Sequence, residues 1–74
     1  MFIRTENKLL NTEQLVAIQA NLSPEPCIVF TLKVLKRGKV TVTRNYQSWE
    51  TACQVFEELH QAIERGALLF DIRR

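Results

Sequence analysis

The chain of 74 residues has the length of one domain, and its 46% apolar composition is too high for a disordered protein. A net charge of +2 does not require a polyanionic partner, and two cysteines are too few for a disulfide scaffold. The longest uncharged stretch of apolar character, residues 27–32, is far shorter than the ~20 residues of a membrane span. Charges interrupt residues 1–10, where a signal peptide would need an apolar run. We therefore expect a single domain, residues 1–74, in the cytoplasm with both thiols reduced.

The N-terminal third predicts three strands. Residues 2–5 and 9–11 form two short strands joined by a turn at residues 6–8. Residues 15–22 form a third strand, with an alternating apolar face of Val16, Ile18, Ala20 and Leu22. The segment Pro24-Glu25-Pro26 then connects strands, because proline cannot donate a ladder hydrogen bond.

The next segment predicts a β-hairpin with one apolar face. Ile28, Phe30, Leu32 and Val34 alternate with less apolar residues, and Val40 and Val42 alternate after the turn. A two-residue loop would place a lysine on the valine face. A three-residue loop, residues 36–38, instead pairs Val34 with Val40 and Leu32 with Val42 and gives Gly38 the left-handed conformation. The opposite face, Thr31, Lys33, Thr41 and Thr43, should then be exposed.

The clearest predicted element is an amphipathic helix over residues 48–65. Ser48 is a suitable N-cap, and Gly66 stands where a helix-terminating glycine is favoured. The predicted apolar stripe consists of Trp49, Ala52, Cys53, Phe56, Leu59 and Ile63, widened by Val55 and Ala62. We expect Phe56 and Leu59 at the centre of the core, against Phe30, Leu32, Val40 and Val42.

A last short strand within residues 67–72 would place Leu68, Phe70 and Ile72 on one apolar face. The predicted fold class is therefore α+β: a small, mostly antiparallel sheet of four to six strands packed on one amphipathic helix.

No sequence motif predicts catalytic, cofactor-binding or metal-binding residues. His60 is the one histidine of the sequence and is predicted to be a packed or boundary residue. Cys27 and Cys53 have no metal-ligand spacing, and Cys53 is predicted to lie on the buried side of the helix. Glu57 and Glu58 point about 100° apart on a helix, which suits a solvated face better than a carboxylate pair. We expect a protein that is not an enzyme.

Charge is distributed unevenly along the chain. Residues 27–48 contain no acid, and the helix carries acids at Glu50, Glu57, Glu58 and Glu64. The hairpin forms a candidate basic surface of five residues: Lys33, Lys36, Arg37, Lys39 and Arg44. Such a ribbon can bind a phosphate backbone, or it can be an edge whose charges prevent pairing with another sheet. The sequence leaves both alternatives open.

Four segments form a recognisable strand pattern: Phe2-Ile3-Arg4-Thr5, Leu10-Asn11, Ile18 and Val42-Thr43-Arg44-Asn45-Tyr46. The pattern resembles that of the LytTR-type DNA-binding domain, and the resemblance implies DNA binding. The chain departs from it at residues 6–8, where that family has a basic stretch.

A second pattern covers more of the chain. Short strands precede Tyr46-x-Ser48-x-Glu50-x-Ala52, which opens the helix. This arrangement is similar to small uncharacterised bacterial proteins of pleckstrin-homology-like build. That resemblance implies a fold and no activity.

Two functional hypotheses follow from the sequence. The first is a non-enzymatic module that forms a homodimer or binds another protein. One helix covers one face of the sheet, which leaves Val29, Leu35, Leu69 and the weakly charged N-terminal strand available for burial. The alternative is nucleic-acid binding through hairpin residues 33–44. Neither hypothesis requires a cofactor.

Overall fold

The computed structural model describes residues 1–5 and 7–72. In the described part of the chain the strands are β1 (Phe2–Arg4), β2 (Leu9–Asn11), β3 (Leu15–Asn21), β4 (Cys27–Val34), β5 (Gly38–Asn45) and β6 (Leu69–Asp71). The α-helix α1 spans Trp49–Arg65, and a 3₁₀ turn, Thr12–Gln14, joins β2 to β3.

The predicted α+β class is confirmed, and the described strands divide into two three-stranded sheets. The small sheet has the order β2-β1-β6, with β1 antiparallel to β2 and parallel to β6. The large sheet has the order β3-β4-β5 and is antiparallel throughout. The sequence pattern predicted one sheet; the two short N-terminal strands instead pair with each other and with β6 in a second sheet.

One hydrophobic core lies between the large sheet and a second layer made of the helix and the small sheet. The buried cluster contains Ile28, Phe30 and Leu32 of the large sheet, Ala52, Val55 and Leu59 of the helix, Ile3 and Leu10 of the small sheet, and Tyr46 and Ile72. The helix therefore packs beside a second sheet as well as on the large one.

The hairpin has the predicted glycine conformation but a different register. Gly38 has φ +73°, in the left-handed region that favours glycine, and the Arg37 N–H donates to the Val34 carbonyl at 3.1 Å. The loop is therefore residues 35–37, one residue earlier than predicted. Leu32 lies opposite Val40 and Phe30 opposite Val42, so the predicted pairing of Val34 with Val40 is wrong by two residues. A shift of two preserves the faces, and the apolar residues remain on the core side.

Strand β3 contains an irregularity that the sequence analysis missed. Leu15 lies opposite Leu32, but Ala17 lies opposite Thr31, so Val16 is an extra residue in β3. Ile18 and Ala20 lie opposite core residues, as predicted, whereas Val16 and Leu22 are exposed. The bulge reverses the alternation before residue 17 and turns Leu15 toward the core.

The helix begins and ends as predicted. The Thr51 N–H donates to Ser48 Oγ at 3.2 Å, and the Gly66 N–H donates to the carbonyls of Ala62 and Ile63 with Gly66 at φ +74°. These two caps satisfy backbone groups at both ends of the helix.

The buried face of the helix differs from the predicted one. Its buried residues are Ala52, Val55, Leu59 and Ala62, whereas Phe56 and Cys53 are half-buried and Trp49 and Ile63 are exposed. At 100° per residue, the centre of the buried face is rotated by about 50° from the centre of the predicted stripe. Leu59 is central, as predicted; Phe56 is not. The helix lies beside the small sheet in the second layer, and its Phe56 flank lies at the open side of β3.

The C-terminal strand is confirmed as the three-residue β6. Ile3 lies beside Phe70 in the parallel pairing, and the Ile72 N–H donates to the Arg4 carbonyl at 2.8 Å. Ile72 is buried and Phe70 half-buried, but Leu68, which was predicted to share their face, precedes the strand and is exposed. In the predicted turn at 6–8, residue 6 lies outside the described residues; the Thr5 N–H donates to the Lys8 carbonyl at 2.9 Å.

Candidate interaction surface

Four of the five predicted basic residues come together at the tip of the hairpin. Lys36 and Arg37 lie in the exposed loop, and Lys33 lies directly opposite Lys39 on the solvent face of the large sheet. Like charges directly opposite each other on neighbouring strands are destabilising. The tip is therefore a compact cationic group with an internal repulsion that a bound anion would relieve.

Arg44 does not belong to this group. It lies opposite Ile28, on the other face of the hairpin from Lys33 and at the opposite end of β5. Its guanidinium carbon is 5.6 Å from the centroid of the Tyr46 ring, within the range of a cation–π contact. The fifth predicted site residue thus has a structural environment of its own.

The single histidine of the sequence lies on the helix surface and contacts a glutamate. His60 was predicted to be packed or at a boundary; it is exposed and lies at the border of the groove between β3 and the helix. Its Nε2 lies 3.0 Å from Glu64 Oε1, one helical turn away. Both side chains are more than half exposed, so the pair contributes little to stability. Within residues 1–5 and 7–72, no three histidine, cysteine or acidic residues lie together as metal ligands would.

The most extensive feature of the surface is apolar. A shallow cavity lies between the start of β3 and the end of the helix, and Val16, Ile63 and Leu68 are its exposed large apolar residues. Half-buried Met1, Leu15, Ile18 and Ala67 form much of its floor. The cavity follows β3, which has no strand on its outer edge among the described residues.

Two further cavities continue this one on either side. A groove of about 240 Å³ between β3 and the helix is lined by Ile18, Phe56, Leu59, His60 and Ile63, and it shares Ile18 and Ile63 with the first cavity. On the other side, a depression on the outer face of the small sheet shares Leu68 and adds Phe2, Leu9 and Leu69. The three cavities therefore form one connected surface.

We define the apolar surface by its six exposed large side chains: Phe2, Leu9, Val16, Ile63, Leu68 and Leu69. The described residues include nine exposed large hydrophobic side chains, and six of them belong to this connected surface. Leu68 lies at the junction and is 84% exposed. Scattered apolar residues are normal on a protein surface, but a contiguous group marks an interaction site.

Of the three residues predicted to remain available for burial between subunits, only Leu69 lies on this surface. Leu35 is fully exposed in the hairpin loop, and Val29 is half-buried on the polar face of the large sheet. Val16, Ile63 and Leu68 were instead assigned to buried faces from their spacing. Their spacing alone gives no signal of exposure, because interface residues and core residues are both apolar.

Comparison with known proteins finds no family model, no curated protein and no solved structure that matches the chain. The LytTR-type and pleckstrin-homology-like resemblances thus remain predictions. Among the described residues, α1 is too short and too polar to cross a membrane.

Proposed function

We propose that this protein is a non-enzymatic interaction module that associates through its apolar surface with a second copy or with another protein. The observation that carries the proposal is the concentration of six exposed large apolar side chains in three connected cavities. Burial of such residues contributes about 25 cal/mol per Å² of apolar area, which makes the surface the strongest source of binding energy on the molecule.

The surroundings of the apolar surface support a protein partner. Arg4 and Asp71 are neighbours in the register of the small sheet, on the same outward face as Phe2 and Leu69. An apolar centre beside charges of both signs resembles the anatomy of protein–protein interfaces.

Both cysteines are free, and Cys27 is buried, which supports a reducing compartment such as the cytoplasm.

A charge placed at the junction of the cavities tests the proposal. Leu68→Glu should abolish association, because binding would bury an unpaired carboxylate. Leu35→Glu is the matched control: it makes the same change at a fully exposed residue of the hairpin loop, outside the apolar surface. Association is measured by light scattering for self-association and by capture of partners from native lysate.

The proposal is supported if the parent and Leu35→Glu proteins bind the same species and Leu68→Glu does not. It is contradicted if the parent neither self-associates nor captures a protein, or if Leu68→Glu binds as well as the parent. Circular dichroism should show that both variants are folded, because neither side chain is buried within the chain.

A second candidate function is binding of nucleic acid through the hairpin tip. The observation that favours it is the direct opposition of Lys33 and Lys39, beside Lys36 and Arg37. If each of the four cations contacts one phosphate, the log–log salt slope on duplex DNA should be about −3.6.

The salt slope separates this function from a merely basic loop. Replacing Lys33 and Lys39 by Gln should reduce the slope by about 1.8. Arg65→Gln, which removes one charge from the exposed last turn of the helix, should leave the slope unchanged. A fluorescence titration from low to moderate salt with duplex DNA and RNA measures it, and absence of binding at low salt contradicts this function.

A further inference from the structure

We infer that a second copy of this chain covers the part of the apolar surface that follows β3, held by antiparallel pairing of the two β3 edges across a two-fold axis. This inference rests on the proposed function and makes it specific. It joins two large sheets into one continuous sheet of six strands and brings the apolar residues along β3 against their symmetry mates.

The edges of the large sheet differ in their protection against such pairing. Strand β5 is one edge and carries Lys39 and Arg44, whereas β3 is the other edge and has seven residues without a charge or a proline. Edge strands that must stay unpaired commonly carry lysines or prolines. The bulge at Val16 affects only the start of β3, so residues 17–21 remain regular and available.

The sequence of β3 suits pairing with itself. A two-fold axis at Gln19 places Gln19 opposite its own copy, and it places Ile18 opposite Ala20 of the second copy. No like charges meet in this arrangement. Ile18 lies opposite Phe30 and therefore faces the helix side, so the pairing covers the groove that Phe56 and Ile63 line.

The exposed area is large for the mass of the chain. A monomeric protein of 8.6 kDa is expected to expose about 4,700 Å². All 74 residues together expose 5393 Å². A standard interface buries about 800 Å² on each partner, so the chain has area enough for a dimer of standard size.

Charge attraction between the acidic helix and the basic hairpin is a less suitable way to join copies. It can close as a two-fold dimer, with the helix of each copy on the hairpin of the other. It would, however, leave the apolar residues along β3 uncovered. Pairing through β3 uses the same surface on both copies and closes at two.

The experiment combines light scattering with a charge at the two-fold axis. At micromolar concentration the parent chain should show twice the monomer mass of 8.6 kDa. Gln19→Lys places two lysines opposite each other across the interface and should raise the dissociation constant at least tenfold. Thr43→Lys is the matched control, because Thr43 is exposed on the same solvent face but lies on β5. Circular dichroism establishes that both variants are folded.

Cross-linking gives a second measurement that does not depend on destabilising the dimer. Gln19→Cys should form an intermolecular disulfide under mild oxidation, because directly paired residues have Cα atoms about 4.5–5.5 Å apart, within disulfide range. Thr43→Cys and the parent chain, which already has Cys27 and Cys53, should not cross-link.

The inference is supported if the parent and Thr43→Lys proteins are dimeric, the Gln19→Lys protein is dissociated and the Gln19→Cys protein forms the cross-link. A monomeric parent, an intact Gln19→Lys dimer or an absent cross-link would overturn it. The proposed function is tested separately. It holds if the parent is monomeric but captures another protein, and Leu68→Glu prevents that capture. It fails if Leu68→Glu changes neither self-association nor capture.

Discussion

The rotation of the helix makes a quantitative prediction about two aliphatic residues one turn apart. Leu59 is fully buried, whereas Ile63 is 47% exposed. Leu59→Ala should cost about 3–5 kcal/mol, since it removes three buried carbon atoms and leaves a cavity between the helix and two sheets. Ile63→Ala should cost about 1 kcal/mol, because only part of its side chain is removed from water and solvent can fill the space.

Thermal unfolding followed by circular dichroism separates the two values. In a domain of this size each 1 kcal/mol lowers Tm by about 4–8 °C, so Leu59→Ala should lower it by at least about 12 °C. Ile63→Ala should lower it by less than about 8 °C. Measurement at submicromolar concentration keeps any contribution of self-association to the second value small.

Phe56→Ala decides between the structure and the sequence pattern. The sequence pattern places Phe56 at the centre of the core, and truncation of a central phenylalanine to alanine would cost about 3–5 kcal/mol of stability. Its half-buried position predicts a smaller loss than that of Leu59→Ala. If Phe56→Ala or Ile63→Ala proves as costly as Leu59→Ala, the helix is rotated from the position described, and the apolar surface loses Ile63.

Three further predictions concern the hairpin and the helix ends, and each is measured by urea unfolding. Lys39→Glu should raise the free energy of unfolding by about 0.2–1 kcal/mol, because it replaces a repulsive cross-strand pair with Lys33 by an attractive one; a loss of stability would contradict the register. Ser48→Ala should cost about 1 kcal/mol through the hydrogen bond from Thr51, and an unchanged midpoint would show that the cap contributes nothing. Gly66→Ala should cost about 1–2 kcal/mol, because a Cβ disfavours the left-handed backbone conformation. The added Cβ would meet no neighbouring atom, so this backbone term is the whole cost, and a cost near zero would be inconsistent with φ +74°.

The elements that local chemistry determines were predictable from the sequence. The helix limits follow from a side-chain oxygen at Ser48 and from the freedom of Gly66 to adopt a positive φ. The conformation of Gly38 was predicted for the same reason. The strand partners in the hairpin were not, since alternation has a period of two and a register shift of two leaves every residue on its face. The faces were therefore right and the pairs wrong.

Features that depend on distant parts of the chain were beyond the sequence pattern. The apolar stripe of the helix is wide enough to contain both the predicted and the observed buried face. The choice between them depends on the small sheet, whose strands β1 and β6 are more than 60 residues apart in sequence. The basic surface was also predicted incorrectly at one residue. Arg44 was grouped with Lys39 because the two are close in sequence, but alternation along β5 places Arg44 on the core side of the sheet.

The position of the apolar surface follows from how the second layer covers the large sheet. The helix ends beside β3, at Gly66, and the chain then passes through Leu68 into the small sheet, so the two parts of the second layer diverge at this edge. Their divergence leaves a groove along β3, and the residues that line it are apolar although water reaches them. The opposite edge, β5, carries charges. A chain that protects one edge of its sheet with cations and surrounds the other with exposed leucine, isoleucine and valine side chains suits the burial that we propose at the second edge. In the proposed dimer, stability and association are coupled, because the apolar residues that a small domain cannot cover by itself are the ones that the second copy covers.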